Sequence, residues 1–282
     1  WKRMAVCTEP VSDDLEWEKL DRPRHLDRIG VHAGYCWHRI EIEQDRARTR
    51  HLFLPDCEDR ATLYLNGDLL GVWGRGPDAT RKAISAAFRR GSNVLALLLD
   101  NLGRFNFGPR LGEVKGLFGH IWDARELKSL QPKLKRAEGF NRRIVPRGLT
   151  HLLGDLERRP LWEATLDVSL RKVQPIHVSF TGMPAHVAVL CNERAAGFFA
   201  GGANNFGDVT LGAELKQRKN RIQLLCWGDV SRNDLKRVHL HALDEPVSAG
   251  ATWRTRPWQM PAEDGPVVGK DRPAWYRTRF KY

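Results

Sequence analysis

Apolar and polar residues alternate in short runs along most of this chain. Trp37–Glu43, His51–Leu54, Thr62–Leu65, Val94–Leu99, Leu117–Trp122, Ala164–Leu170, Ile176–Phe180, Val187–Leu190, Arg221–Trp227 and Val238–Leu243 read as strands. Runs of roughly four to eight residues bounded by Gly, Pro, Asn, Asp or Ser match extended segments with one face buried. Leu95, Ala96, Leu97, Leu98 and Leu99 form a continuous apolar run, which fits a strand buried on both faces. No long stretch repeats apolar residues at helical spacing; Thr80–Arg89 reads as a helix of a turn or two, or as another strand. The predicted fold class is all-β, with tandem antiparallel β-sandwiches.

The two halves repeat one another. Val187-Ala188-Val189-Leu190-Cys191-Asn192 with Gly197 parallels Thr62-Leu63-Tyr64-Leu65 and Asn66 with Gly71, at an offset of 126 (192 − 66; 197 − 71). Asn220 to Leu225 parallels Asn93 to Leu98 at an offset of 127 (220 − 93). Two matches in the same order predict two copies of one sandwich, with Thr62–Leu65 and Val187–Leu190 as equivalent strands. Asn66-Gly67 is a strong hairpin signal because both residues tolerate positive φ; Asn192-Glu193 is a weaker version. Residues 130–161 are polar and basic and carry Pro132, Pro146 and Pro160, so the inter-domain connection is expected there.

The length of 282 residues, with 41% hydrophobic and 9% aromatic, suffices for two packed units. The formal net charge of +12 raises nucleic acid as a partner. Its distribution argues against one: Arg89-Arg90, Lys133 to Arg136, Arg142-Arg143 and Lys216 to Arg221 are short groups mixed with acids and form no nucleic-acid motif. No stretch approaches the roughly 20 apolar residues of a membrane span, and Trp1-Lys2-Arg3-Met4 lacks a signal-peptide core. A soluble chain with no membrane partner is expected, and its start on Trp1 reads as that of an internal segment. Cys7, Cys36, Cys57, Cys191 and Cys226 are odd in number without C-x-x-C spacing, so neither a disulfide framework nor a zinc site is indicated and buried thiols are expected.

The richest segment is Leu97–Asp123, where a buried strand feeds a glycine-bent polar loop and then another apolar run. Gly103 and Gly108 permit unusual backbone angles. Between them Arg104 and Asn106 offer a cationic fork and an amide, which either hydrogen-bond sugar hydroxyls or lock the loop to its own backbone. Asn101, Gly103, Arg104, Asn106, Phe107, Gly108, Lys115 and Gly116 together resemble the "Asn-x-Gly-Arg-x-Asn-aromatic-Gly … Lys-Gly" loop of glycoside hydrolase family 35 β-galactosidases. The resemblance extends upstream through Gly34-Tyr35-Cys36-Trp37-His38-Arg39 and Ala61-Thr62-Leu63-Tyr64-Leu65-Asn66-Gly67 with Gly71, roughly residues 1–128. It implies a galactose-binding-like jelly-roll sandwich of the kind that follows the catalytic barrel in that family.

The same resemblance implies a domain order. Residues 1–130 form a first sandwich, with 250–262 completing it, because Thr252-Trp253-Arg254-Thr255-Arg256-Pro257-Trp258 looks like the segment that follows the Lys-Gly loop in the family. Residues 150–249 form a second, inserted sandwich, a departure from the family order. Residues 266–282 open a further module, since Pro273–Phe280 is similar to the first strand of the family's last sandwich.

Family 35 enzymes use two glutamates on a barrel, with paired carboxylates about 5–5.5 Å apart for retention. Nothing in this chain supplies the alternating βα pattern of such a barrel. Glu9, Glu16, Glu41, Glu43 and Glu113 read as solvated or locally paired, and no catalytic residue is assigned. His239 and His241 would share a strand face, but no third ligand is identifiable, so no metal and no cofactor are expected. Gly201-Gly202-Ala203-Asn204-Asn205 is a turn and not a phosphate loop. Trp73 beside Arg75, Trp37 beside Arg39 and Trp227 beside Asp229 pair an aromatic face with a polar group, as carbohydrate sites do, although each tryptophan equally suits a core. The candidate carbohydrate-binding residues are Trp73, Arg104, Asn106 and Lys115. The expected function is a non-catalytic portion of a β-galactosidase-like hydrolase that supports the barrel and contacts a galactoside. The alternatives are an autonomous tandem carbohydrate-binding module and a purely structural interaction domain; cellular compartment is not legible.

Overall fold

In the computed structural model, Gly91–Asn101 is the central strand of the first half, and Leu95, Ala96, Leu97 and Leu99 on it are fully buried. That burial on both faces is what the continuous apolar run predicts. The residues described are 2–13, 15–104, 112–127, 132–139, 141–202, 206–259 and 274–277. Two compact units divide the chain: residues 1–123 with 245–282, and residues 124–244.

In the first unit a seven-stranded sheet runs in the order Glu18–Leu20, Trp253–Pro257, Gly34–Gln44, Gly91–Asn101, Arg60–Leu65, Asp68–Gly74 and Ala79–Thr80. All its pairings are antiparallel except the short last one. Arg48–Phe53 pairs with Ile84–Phe88 on one side and with Trp122 and Asp123 on the other. This second layer packs on the first: the Phe53 ring meets Trp73 edge to face at 4.7 Å, and Ile84 sits under Gly71. The backbone of Lys2–Val6 pairs antiparallel with Ala274–Arg277.

The second unit repeats this plan. Its five-stranded antiparallel sheet has the order Lys133–Ala137, Leu161–Leu170, Arg218–Trp227, His186–Cys191 and Arg194–Phe199. Ile176–Thr181 pairs with Phe206–Leu211 and with Val238–Ala242 of the strand Val238–Pro246. Alternating residues of both layers, among them Leu166, Val168, Val189, Ile222 and Leu224 against Ile176, Val178, Phe180 and Leu240, form one core. This is the interdigitation expected of a sandwich.

The repeat holds at the level of register. Leu65 faces Leu95 as Cys191 faces Ile222, and Leu95 faces Ile40 as Ile222 faces Leu166. Both hairpins shift register by a residue, between Leu63 and Tyr64 and between Val189 and Leu190, where Gly71 and Gly197 stand opposite. Each is closed by one asparagine clasp. Asn66 and Asn192 sit at φ 53° and 49°. Their Nδ2 atoms donate to Oδ1 of Asn93 and Asn220 at 3.1 and 3.0 Å, and their Oδ1 atoms accept from the amides of Val94 and Arg221 at 2.9 and 3.0 Å. Asn93 and Asn220 then bond the backbone of the preceding turn, at Arg89 and Lys216. Thr62–Leu65 and Val187–Leu190 are equivalent strands.

Two segments differ from the sequence expectation, and a third resolves to one of its two alternatives. Thr80–Arg89 contains the strand Ile84–Phe88 and no helix. The run Leu117–Trp122 is broken, with Gly116–Leu117 paired to Cys57–Glu58 and a new strand only from Trp122. Its middle is held from outside a ladder: the Phe118 amide donates to the Asp56 carbonyl and the Ile121 amide to Ser248 Oγ. Residues 130–161, expected as a connection, supply the strand Lys133–Ala137 and helical turns at Arg142–Ile144, Arg147–Leu152 and Leu153–Leu156, from which Val145 and Leu156 pack against Ala188, Leu190 and Trp227. All five cysteines are buried and free. No helix among the described residues is long and apolar enough to cross a membrane.

Candidate functional site

The loop after the central strand brings Arg104 and Lys115 to one side of the first sandwich. Together with Asp59, Arg75, Leu102 and Gly103 they border a depression of about 250 Å³. Asn101 starts the loop: its Nδ2 donates to the His32 carbonyl at 2.9 Å, and its Oδ1 accepts from the Gly103 amide at 3.2 Å. Gly103 takes φ 95°, a region open to glycine, which turns the chain out of the strand. On the returning side Gly116 has φ 85°, and a Cβ there would stand 2.5 Å from Leu26, so this position also requires glycine.

Arg104 and Lys115, the loop cations among the described residues, are both matched by carboxylates. Arg104 Nη2 reaches both oxygens of Asp27 at 2.5 Å. Asp27 lies on the turn Leu26–Ile29 and also meets His32 Nδ1 at 3.2 Å. Partial burial works against its charge, yet the hydrogen bonds from His32 and Arg104 hold its carboxyl below the ordinary range. Lys115 is buried, and its Nζ donates to Asp59 Oδ1 and Glu113 Oε1, both at 2.7 Å. Asp59 Oδ2 accepts from the Leu102 amide at 3.1 Å, which ties the first loop residue to the same cluster. Glu58 next door accepts from Arg81 Nη2 at 2.8 Å and lies 3.3 Å from Arg75 Nη2. Asp100, opposite Arg60 in the ladder, is pushed up to about 6 by burial, with Arg60 opposing and Asp59 reinforcing the shift.

Glu58, Asp59 and Glu113 are the one set of three metal-ligand side chains gathered within 4.8 Å among the described residues. The Lys115 ammonium already lies on two of them, so the cationic charge such a trio would seek is supplied by the chain itself. Chemically the arrangement is a braced charge network with one shallow opening.

Of the four residues proposed from sequence, the structure thus brings Arg104 and Lys115 together. Trp73 does not join them. It is 1% exposed, with its ring against Phe53, so neither indole face is open to a sugar. Trp73 stands on the strand Asp68–Gly74 and points into the space between the layers. Asn106, with Phe107 and Gly108, lies outside the described residues. Trp37 and Trp227 are also core side chains. Glu113 is locally paired, as expected. The partners Asp27, Asp59 and Glu58 were not singled out from sequence; only the fold brings Asp27 and Asp59 across 77 and 56 residues to their cations. His241 is buried and held down near 4 by burial, while His239 meets Glu126 at 3.3 Å.

Residues 23–130 match the family described as the first all-beta domain of beta-galactosidase. Over 120 residues the chain is 27% identical to beta-galactosidase 8 of Oryza sativa subsp. japonica, which covers 39% of this chain and 17% of the rice protein. The chain thus spans about a sixth of that relative's length. Among solved structures, a glycosyl hydrolase family 2 member from Bacteroides cellulosilyticus matches with TM-score 0.33 and 12% identity, covering 80% of this chain and 30% of that one. A beta-D-mannosidase from Dictyoglomus thermophilum matches with TM-score 0.30 and 13% identity, covering 71% and 29%. Neither superposes closely enough to carry an argument about this chain.

Proposed function

Because residues 23–130 belong to the first all-β domain family of β-galactosidases, we propose that this chain is the non-catalytic, two-sandwich portion of a β-galactosidase-like glycoside hydrolase and supports its catalytic barrel. The observation that carries the supporting role is the pairing of the two described loop cations. Arg104 is bound by Asp27, and Lys115 by Asp59 and Glu113, so the cations that could face a substrate hold the loop in shape. Loop ends anchored in this way suit a surface that a neighbouring domain rests on.

In the proposed domain order residues 1–130 and 250–262 make the first sandwich, and a second copy of the same fold is inserted between them. Pairing of Trp253–Pro257 with Gly34–Gln44 supports that order. A jelly-roll, galactose-binding-like character and a barrel partner follow from the family resemblance. A second reading, galactoside contact at the same loop, draws on the opening bordered by Arg104 and Lys115.

Two measurements on the purified chain separate these readings. Support alone predicts no turnover of a chromogenic β-galactoside and no saturable heat on titration with galactose. Turnover that vanishes when one of the chain's own glutamates is changed to glutamine would defeat the non-catalytic reading. Saturable galactose binding lost in Arg104→Gln, with Tm unchanged, would establish the autonomous carbohydrate-binding alternative.

A further inference from the structure

A second depression in the first unit, of about 430 Å³, is lined by Arg22, Pro23, Arg24, His25, Arg28 and Phe118. Three guanidinium groups and an imidazole share the lining with an aromatic ring, and among the described residues no carboxylate lines it. The backbone beneath is fixed. Pro23 and Leu26 are buried, the Leu26 amide donates to the Lys115 carbonyl at 2.8 Å, and the Phe118 amide donates to the Asp56 carbonyl at 3.0 Å. Arg24 is paired with Asp21 at 2.8 Å on the exposed side. Arg22 and Arg28 have no carboxylate within 4.0 Å among the described residues, and His25 Nδ1 is buried without a hydrogen bond, 3.7 Å from Asp27.

The second unit lacks these arginines at the matching positions. At the same offset of 126 the second unit keeps His151-Leu152 for His25-Leu26, but carries Gly148, Thr150 and Gly154 where the first has Arg22, Arg24 and Arg28 (148 − 22; 150 − 24; 154 − 28). A helical turn forms there all the same. The three positive charges are thus particular to the first copy.

We infer that this depression binds a saccharide unit bearing an oxyanion, a carboxylate or a sulfate. Guanidinium forks match planar and tetrahedral oxyanions with paired, charge-assisted hydrogen bonds. The Phe118 ring supplies the apolar wall on which a sugar's C–H face rests, and the volume falls in the range of small-molecule sites, roughly 300–1,000 Å³, larger than an inorganic anion fills. The site is separate from the Arg104–Lys115 loop, and its failure would leave the supporting role untouched.

Calorimetric titration of the intact chain with galacturonate, galactose 6-sulfate, galactose and sodium sulfate tests it. Saturable binding of galacturonate or of galactose 6-sulfate is expected. Arg22→Gln and Arg28→Gln should each weaken it about tenfold with no change in Tm, and raised ionic strength should weaken it as well. Phe118→Ala, checked for an unchanged melting curve, should weaken the sugars and leave any sulfate binding alone. No binding of either acidic sugar, equal affinity for neutral galactose, or indifference to both arginine changes would overturn the inference. So would sulfate binding as tight as that of the sugars with no effect of Phe118→Ala, which would mark an inorganic oxyanion site.

Discussion

Replacing Lys115 by methionine tests whether the charged cradle braces the first sandwich. Methionine keeps the length of the stem and removes the ammonium, so Asp59, 4% exposed, and Glu113 lose the cation they share at 2.7 Å. Asp59 would retain the Leu102 amide as its remaining side-chain bond among the described residues. Breaking a buried pair by removing one partner costs about 3–5 kcal/mol, because the other charge is left uncompensated. For a domain of this size about 2–4 °C of Tm accompany each kcal/mol, so the first unit should melt roughly 6–20 °C lower. Calorimetry suits the measurement, since two units are expected to give separable transitions. The second unit, with Ala185 at the position equivalent to Asp59 (185 − 59 = 126), is the internal control. Its transition should stay where it is. Asp59→Asn combined with Lys115→Met should recover part of the loss, because the stranded charge is gone. A first-unit loss below about 1 kcal/mol, within the ordinary range of exposed ion pairs, or a double variant no better than the single, would refute the reasoning.

The asparagine clasps should behave as twins: Asn66→Ala and Asn192→Ala each strand buried hydrogen-bonding groups and place alanine at positive φ, so about 1–3 kcal/mol should be lost from the first and second transitions respectively, read by urea denaturation. His38 is fully buried and held down to about 4 by desolvation, against an ordinary value of 6.5. The unfolded chain therefore takes up the proton first, and stability present above about 6.5 should decline as pH falls towards about 4, by up to ~3 kcal/mol, a slope that His38→Gln should flatten in pH-dependent melting of the first unit. Burial pushes all five thiols up, Cys36 to about 11 and Cys226 to about 12. A thiol-reactive chromogen should accordingly titrate almost none in the native chain and all five in denaturant.

How far the sequence reveals this fold depends on whether a segment's partners lie within its own pattern. Strands with a clean inward face, such as Leu161–Leu170 and Arg218–Trp227, are legible because burial largely alternates along them. Lys133–Ala137 is not, since this sequence of two lysines and an arginine has no fully buried residue and is held mainly by its ladder to Leu161–Leu170, with Leu134 and Ala137 only partly covered. Leu117–Trp122 fails in the opposite direction. It has the composition of a strand, but a Cβ at Gly119 would stand 2.1 Å from Asp56 Oδ2, and Ser248 rather than a neighbouring strand takes the Ile121 amide. The site divides in the same way: Arg104 and Lys115 stand out through their motif, whereas Asp27 and Asp59 acquire meaning only when the fold closes on them.

The duplication offers a control that sequence alone could announce but not use. In both copies a glycine, Gly74 or Gly201, lies so close to the equivalent backbone that a Cβ would come within 2.1 Å of the Asp59 carbonyl oxygen or 2.6 Å of that of Ala185. The close approach and the asparagine clasp are kept, so they belong to the fold. Asp59 becomes Ala185, 1% exposed and packed in the core, so the charge does not. A sandwich of this design is complete with an apolar residue at that place, and replacing buried ion pairs by apolar groups is often neutral or stabilising. The Asp59–Lys115–Glu113 cradle is thus a cost that the first copy carries and the second avoids. The cradle borders the depression beside Arg104, so the brace and that opening are to be tested together, by stability and by sugar titration on the same variants.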